Sequence, residues 1–164
     1  MNVEIIERKP AIFAGLATPF IHGLSKETNA PRVIGRLWND LFKMHAAINH
    51  RVGQDLFGVI WGEDNPSHPD ELMYLAGVEV TSSNDLPPGA VSRQAPGGLY
   101  ARIVHRGVIG EIARTVGYIY REWLPKSDFE HSDLADLEIY GAKFNGDSED
   151  SEMEYLISVR PRRA

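Results

Sequence analysis

The sequence predicts an α+β fold made of two strand–helix–strand–strand modules, related by a pseudo-two-fold axis, with a ligand cleft between them. Three observations carry this expectation. Strand-like and helix-like stretches follow one another in the same order in each half. Two dipeptides recur at one common offset of 81 positions: Asp55-Leu56 returns as Asp136-Leu137, and Tyr74-Leu75 returns as Tyr155-Leu156. The densest cluster of turn formers, Pro87, Pro88, Gly89, Pro96, Gly97 and Gly98, falls between the halves. The organisation expected is one domain over 1–164, with repeat one at about 1–83, a linker at about 84–97 and repeat two at about 98–164.

The elements follow in chain order. Val3 to Ile6 and Ala11 to Ala17, rich in β-branched and small apolar residues and separated by Pro10, predict an N-terminal strand with a bend. From Pro31 to Ile48 the apolar spacing of Ile34, Leu37, Trp38, Leu41 and Ile48 marks one face of a helix, with Pro31 suited to its first turn. Residues 55–63 and 71–80 read as strands joined by a polar loop carrying Pro66 and Pro69. In the second half, 98–107 reads as a strand. Val108 to Leu124 reads as a helix with Ile109, Ile112, Val116, Ile119 and Trp123 on one face, ended by Pro125. Residues 136–144 and 152–159 read as strands, with the acidic run Asp147 to Glu152 as a solvated turn between them.

Composition narrows the function. The 164 residues carry 17 Lys and Arg against 23 Asp and Glu, a net charge of −6. A protein that binds nucleic acid directly would show a basic footprint, so none is expected; a cationic or neutral ligand suits the charge. Cys is 0, which removes disulfides, thiolate metal sites and a Cys nucleophile. No run approaches the roughly 18 apolar residues of a membrane span, and MNVEIIERKP is no signal peptide, so a soluble cytoplasmic protein is expected. No GxGxxG, Walker-type or Gly-x-Ser-x-Gly segment occurs, and the six His residues lack metal-ligand spacing. Neither cofactor nor metal is expected.

The chemistry concentrates at Glu138. Alternation along 137–144 places Glu138 on one strand face with Tyr140, Ala142 and Phe144. The matching strand of the first half offers Phe57, Val59 and Trp61, with no acid before Glu63. The expected repeat is thus broken by a single carboxylate among aromatics. Such a group suits a cation, by charge and cation–π contact, or a general base of raised pKa. The candidates for the pocket walls are Tyr140, Tyr118, Trp61, Trp38, Tyr100 and Trp123. Tyr118 lies about two positions off the packing stripe of its helix, whereas Trp123 lies on it.

The segment 96–127 (PGGLYARIVHRGVIGEIARTVGYIYREWLPKS), followed by DLEIYGAKF (136–144) and SEMEYLISV (151–159), resembles the GyrI-like superfamily, the gyrase-inhibitor-like or bacterial transcription-activator effector-binding domains. Residues 34–48, 57–63 and 73–80 resemble its leading repeat, so the likeness covers nearly the whole chain. Its most specific pieces are Tyr100, His105 and Gly107 at a strand end, Tyr120 to Pro125 at a helix end, and the Glu138-x-Tyr140 pair. The sequence departs from the pattern in ending its last strand ISVRP and in carrying Ile60-Trp61 where a Tyr is common.

This resemblance implies a fold of two strand–helix–strand–strand modules and capture of lipophilic cations between them. The family's ligand carboxylate matches Glu138, and Tyr140 sits beside it. With no helix-turn-helix ahead of it, the chain is read as a stand-alone member. The leading expectation is capture of an amphipathic, cationic or planar aromatic small molecule. The alternatives implied are hydrolysis of cyclopropane-containing alkylating natural products, with Glu138 as general base and Tyr140 as donor, and an interaction with a protein partner such as DNA gyrase.

Overall fold

A computed structural model describes residues 1–163. Its strands are β1 (Val3–Arg8), β2 (Ala11–Ile21), β3 (Leu56–Trp61), β4 (Glu71–Val80), β5 (Val91–Ala95), β6 (Gly98–Arg106), β7 (Phe129–His131), β8 (Asp136–Tyr140) and β9 (Glu152–Pro161). The two principal helices are α1 (Ala30–Phe42) and α2 (Ile112–Tyr118). All strand pairings are antiparallel, in the order β1-β6-β9-β8-β3-β4-β2-β5, with β7 added on β9. The architecture is therefore mixed, a large antiparallel sheet with few helices. Among the described residues no helix is long and apolar enough to cross a membrane.

Two short joints decide the shape of the sheet. Lys9 and Pro10 separate β1 from β2, and Pro96 and Gly97 separate β5 from β6. β1 pairs with β6 and β2 with β5 in one unbroken register, from Val3 opposite Ile103 to Gly15 opposite Val91. The four strands form a single bent ribbon. Because β6 continues to β9 and β2 to β4, the ribbon joins the two ends of the sheet and closes it on itself. Proline supplies no N–H to a ladder, which suits it to these corners. At the crossing, a Cβ on Gly97 would lie 2.7 Å from the Arg8 carbonyl oxygen, so only glycine lets the joints touch.

The enclosed face holds an apolar cluster contributed from all around the ring, including Phe13, Phe57, Val59, Leu75, Tyr100, Leu137, Ile139 and Leu156. The outer face carries the helices. α1 packs Leu37 and Leu41 over β2 and β4, among Phe20, Tyr74, Ala76 and Val78. α2 and the turn after it pack over β6 and β9, among Ile103, Met153, Tyr155 and Ile157. Ile60 on β3 belongs to both outer clusters and marks the floor between the helices.

Several expectations change. The stretch at 84–97 is not merely a linker, since it contains β5, half of the bent ribbon. The N-terminal strand with a bend becomes two strands, β1 and β2, whose outer neighbours differ. The first helix stops at Phe42 and is followed by a short 3₁₀ turn at His45–Ala47. The second begins with a 3₁₀ turn at Ile109–Glu111, widens into a π-helical turn at Ile119–Trp123 and ends in Leu124–Lys126, which includes Pro125. Pro125 sits in the first turn of that last piece, where its missing N–H costs nothing. β8 ends at Tyr140, four residues short of 144, and β7 falls where no strand is expected.

Candidate functional site

A cavity of about 350 Å³ opens between α1 and α2 over the outer face of the sheet. Its walls are apolar: Phe20, Ile34, Ile60 and Leu72 on one side, Ile112, Ala113 and Val116 on the other. Its polar groups are the carboxylates of Asp136 and Glu138, the phenols of Tyr74, Tyr120 and Tyr155, and His22 at the rim. An apolar pocket with a few placed polar groups is the usual form of a small-molecule site.

Glu138 reaches the cavity because β8 lies beside β3, with Glu138 opposite Gly58, and beside β9, with Glu138 opposite Tyr155. It is 7% exposed. Tyr74, on the far side of β3, donates to Glu138 Oε1 at 2.5 Å and accepts from Trp38 Nε1 of α1 at 3.0 Å. The phenol crosses β3 directly above Gly58. A Cβ there would lie 2.3 Å from Tyr74 Oη and 2.4 Å from Glu138 Oε1. The bare backbone of Gly58 is what permits this relay. Burial raises the Glu138 pKa above the ordinary carboxylate range, opposed by the hydrogen bond from Tyr74 and by the Tyr140 phenol.

Asp136, two residues earlier on the same face, is held differently. It is 5% exposed. Its Oδ1 accepts from the Ser158 backbone N–H at 2.9 Å and lies 2.9 Å from His131 Nε2, while Oδ2 accepts from the Tyr120 hydroxyl. Burial works against a charge on the His131 ring, yet the hydrogen bond and charge of Asp136, joined by Asp133, raise its pKa above the usual histidine value. Burial also pushes the Tyr74, Tyr120 and Tyr155 phenols well above their ordinary range, so all three stay protonated donors.

The turn at His22–Leu24 closes one side of the mouth. Arg121 Nη2 donates to the Leu24 carbonyl at 3.2 Å, and Leu24 Cδ2 approaches to 3.7 Å of where Gly117 would carry a Cβ. The rim thereby ties the segment after β2 to the second helix. Among the described residues no three His, Asp or Glu side chains gather as metal ligands.

Of the candidate residues, Glu138, Tyr140 and Trp38 come together. Tyr140 stands beside the cavity, edge-on to Trp38 at 5.4 Å and to Phe144 at 4.7 Å between ring centroids. Trp38 acts on Glu138 through Tyr74. Trp61 and Tyr100 lie elsewhere: Tyr100 is buried in the cluster inside the ring, and Trp61 packs against that cluster with the Arg93 guanidinium 4.0 Å over its ring. The reason is register, since the face shared with Glu138 holds Leu56, Gly58 and Ile60 rather than Phe57, Val59 and Trp61. Tyr118 and Trp123 line a small separate surface pocket with Glu122 and Lys126. Ile112, Ala113, Val116 and Tyr120 form the cavity face of the second helix, and Tyr118, two positions from either neighbour, points away from it. The wide turn carries Trp123 off the stripe to stack on Phe129.

Sequence reasoning does not single out Tyr74, Tyr155, Tyr120, Asp136 or Gly58 as site residues. The signal was present for four of them. Tyr74 and Tyr155 are one recurring dipeptide of the 81-residue offset, Asp136 opens the other, and Tyr120 stands in the helix-end motif. Gly58 has no signal short of register.

Residues 1–160 match the family of GyrI-like small molecule binding domains. The transcriptional regulator BrlR of Pseudomonas aeruginosa is 28% identical over 147 residues, which cover 89% of this chain and 50% of that protein, so the chain spans about half the length of this curated relative. Among solved structures, SAV2435 bound to tetraphenylphosphonium matches with a TM-score of 0.77 at 13% identity, covering 98% of this chain and 94% of that one. The EcmrR C-terminal domain matches at 0.66 and 10%, covering 98% of each chain. A hydrolase from Listeria innocua matches at 0.54 and 13%, covering 96% and 91%. At such identities the likeness is one of fold.

Proposed function

The chain belongs to the GyrI-like small molecule binding domain family, and on that premise we propose that it captures an amphipathic cation in the cavity between α1 and α2, with Glu138 as the counter-charge. The observation carrying this reading is the setting of Glu138. A carboxylate so buried, with one phenol at 2.5 Å and no buried cation beside it in the cavity wall, is short of a positive partner. A bound cation supplies one, and the aromatic and aliphatic walls cover its apolar body. Trp38 and Tyr140 hold the relay in place. The strand order on either side of the β3–β8 seam, third strand between second and first, supports reading the halves as repeats of one module.

Titration with tetraphenylphosphonium tests the reading. Glu138→Gln should weaken binding by about 2–5 kcal/mol. Because burial raises the Glu138 pKa and a bound cation favours the carboxylate, binding should release a proton at pH values near that pKa, and parent affinity should rise as pH passes through it. Equal affinity for parent and Glu138→Gln would remove Glu138 from the site.

One observation favours a second reading, hydrolysis of a strained cyclopropane. The raised pKa of Glu138 suits a base, and three protonated phenols share its cavity. Glu138 would take a proton from water as the water oxygen forms a C–O bond to the ring carbon. The ring C–C bond breaks toward a conjugated carbonyl, whose developing oxyanion is met by Tyr74, Tyr120 or Tyr155. Incubation with a cyclopropane alkylator should then give a product heavier by one water, absent with Glu138→Gln.

A further inference from the structure

We propose that Asp136 is a second anchor of the cavity, and that the ligand class is a cation carrying a hydrogen-bond donor at the end opposite its charge. The inference rests on the capture reading and specifies its ligand.

Asp136 and Glu138 are alternate residues of β8, so their side chains leave the same face about 7 Å apart. Both line the cavity, and both are more than nine-tenths buried. They differ in what already faces them. Glu138 meets the Tyr74 and Tyr140 phenols and no cation. Asp136 meets the His131 ring, 2.9 Å away on the side outside the cavity, together with the Ser158 N–H. A second cation at Asp136 would compete with that ring. A neutral O–H or N–H would not. Both of these donors reach Oδ1, which leaves Oδ2 for the cavity side, engaged by the Tyr120 hydroxyl alone. A carboxylate oxygen has room for two donors, and a phenol can turn aside to accept from a ligand group in its place. The other charged groups at the cavity are remote from this pole: His22 stands at the rim, 3.5 Å from Asp70, and Asp133 and Arg160 pair at the outer side of His131.

The walls over the two anchors include aliphatic side chains, Ile60 on β3 beside Asp136 and Ile112 and Val116 on the second helix. A flat apolar spacer about one benzene ring long fits that span. A site built to accept a hydrogen bond discriminates against an analogue lacking the donor, because its buried acceptor is then left underused.

The test compares two monocations of nearly equal size, benzyltrimethylammonium with a para hydroxymethyl group and with a para ethyl group, by titration calorimetry. The parent should prefer the hydroxymethyl compound about tenfold. Asp136→Asn, which replaces the charged acceptor with a neutral amide, should reduce the preference. Tyr120→Phe, which leaves Oδ2 free, should enlarge it. Equal binding of the two compounds by the parent, or the same ratio in parent and Asp136→Asn, would overturn the inference. If Asp136→Asn does not fold, as judged by thermal melting, Tyr120→Phe decides: an unchanged ratio overturns it. The capture reading is judged separately, by Glu138→Gln against the ethyl compound. Loss of affinity there upholds capture whatever the ratio shows, and unchanged affinity overturns capture.

Discussion

Glu138 and Asp136 are neighbours on one face of one strand, both hidden from water, and the protein surrounds them differently. Around Asp136 it gathers a histidine, a backbone N–H and a phenol, reached from β7, β9 and the wide turn after α2. Around Glu138 it leaves a glycine backbone, the Tyr74 phenol that arrives over it and the Tyr140 phenol beside it. Burial alone therefore does not set the behaviour of a carboxylate. The number of donors converging on it does, because each donor replaces a lost water contact. The well-furnished acid contributes to the fold, whereas the sparsely furnished one costs stability when empty and is placed to gain most from a cation.

That contrast can be broken by substitution. The largest effect should come from Gly58→Val, which pushes branched carbon into the path between Tyr74 and Glu138. Overpacking and the severed relay together should cost about 3 kcal/mol or more in denaturant unfolding, and cation binding should disappear with it. A variant that unfolds like the parent would mean that the relay is not tied to the bare backbone at 58.

Removing the furnished acid should cost less but clearly. Asp136→Ala strands the Ser158 N–H and the Tyr120 hydroxyl, and should lower unfolding free energy by about 1–3 kcal/mol. Glu138→Gln should act the other way. The folded pKa of Glu138 lies above its unfolded value near 4.5, so the fold holds that proton more tightly. Its contribution is fully present below pH 4.5 and is lost as pH rises through the folded pKa. At neutral pH the ligand-free Glu138→Gln protein should melt a few degrees higher than the parent, with the gap closing toward acid. Destabilisation by both substitutions at neutral pH would erase the distinction drawn between the two acids.

The smallest effect sharpens the Asp136 side. The His131 ring should titrate above the usual histidine value by NMR in the parent, and below the parent value in Asp136→Asn, where burial is less opposed. With its folded pKa raised, His131 contributes stability below pH 6.5 that fades as pH rises through the folded value. An unmoved His131 titration would separate it from Asp136.

Much of this was legible in the chain. The order of the main strands and helices, the bend at Pro10, the apolar stripe of α1 and the lone Glu138 among aromatics all follow from local preferences and short periodicities, which act within a few residues. The motifs around Tyr100, Tyr120 and Glu138 were enough to indicate the family that the comparison of residues 1–160 assigns. The membership of the pocket was a matter for the tertiary structure. Alternation states which residues of a strand share a face, but not which face of the next strand meets it, and a shift of one residue in pairing β3 with β8 exchanges Trp61 for Ile60. The π-helical turn carries Trp123 off the cavity side, and the sheet's closure, set by a ribbon pairing residues 3–15 with 91–103, sends Tyr100 to the interior and Asp136 to the cavity. Register and closure are properties of pairs of segments far apart in the chain, so no local pattern carries them.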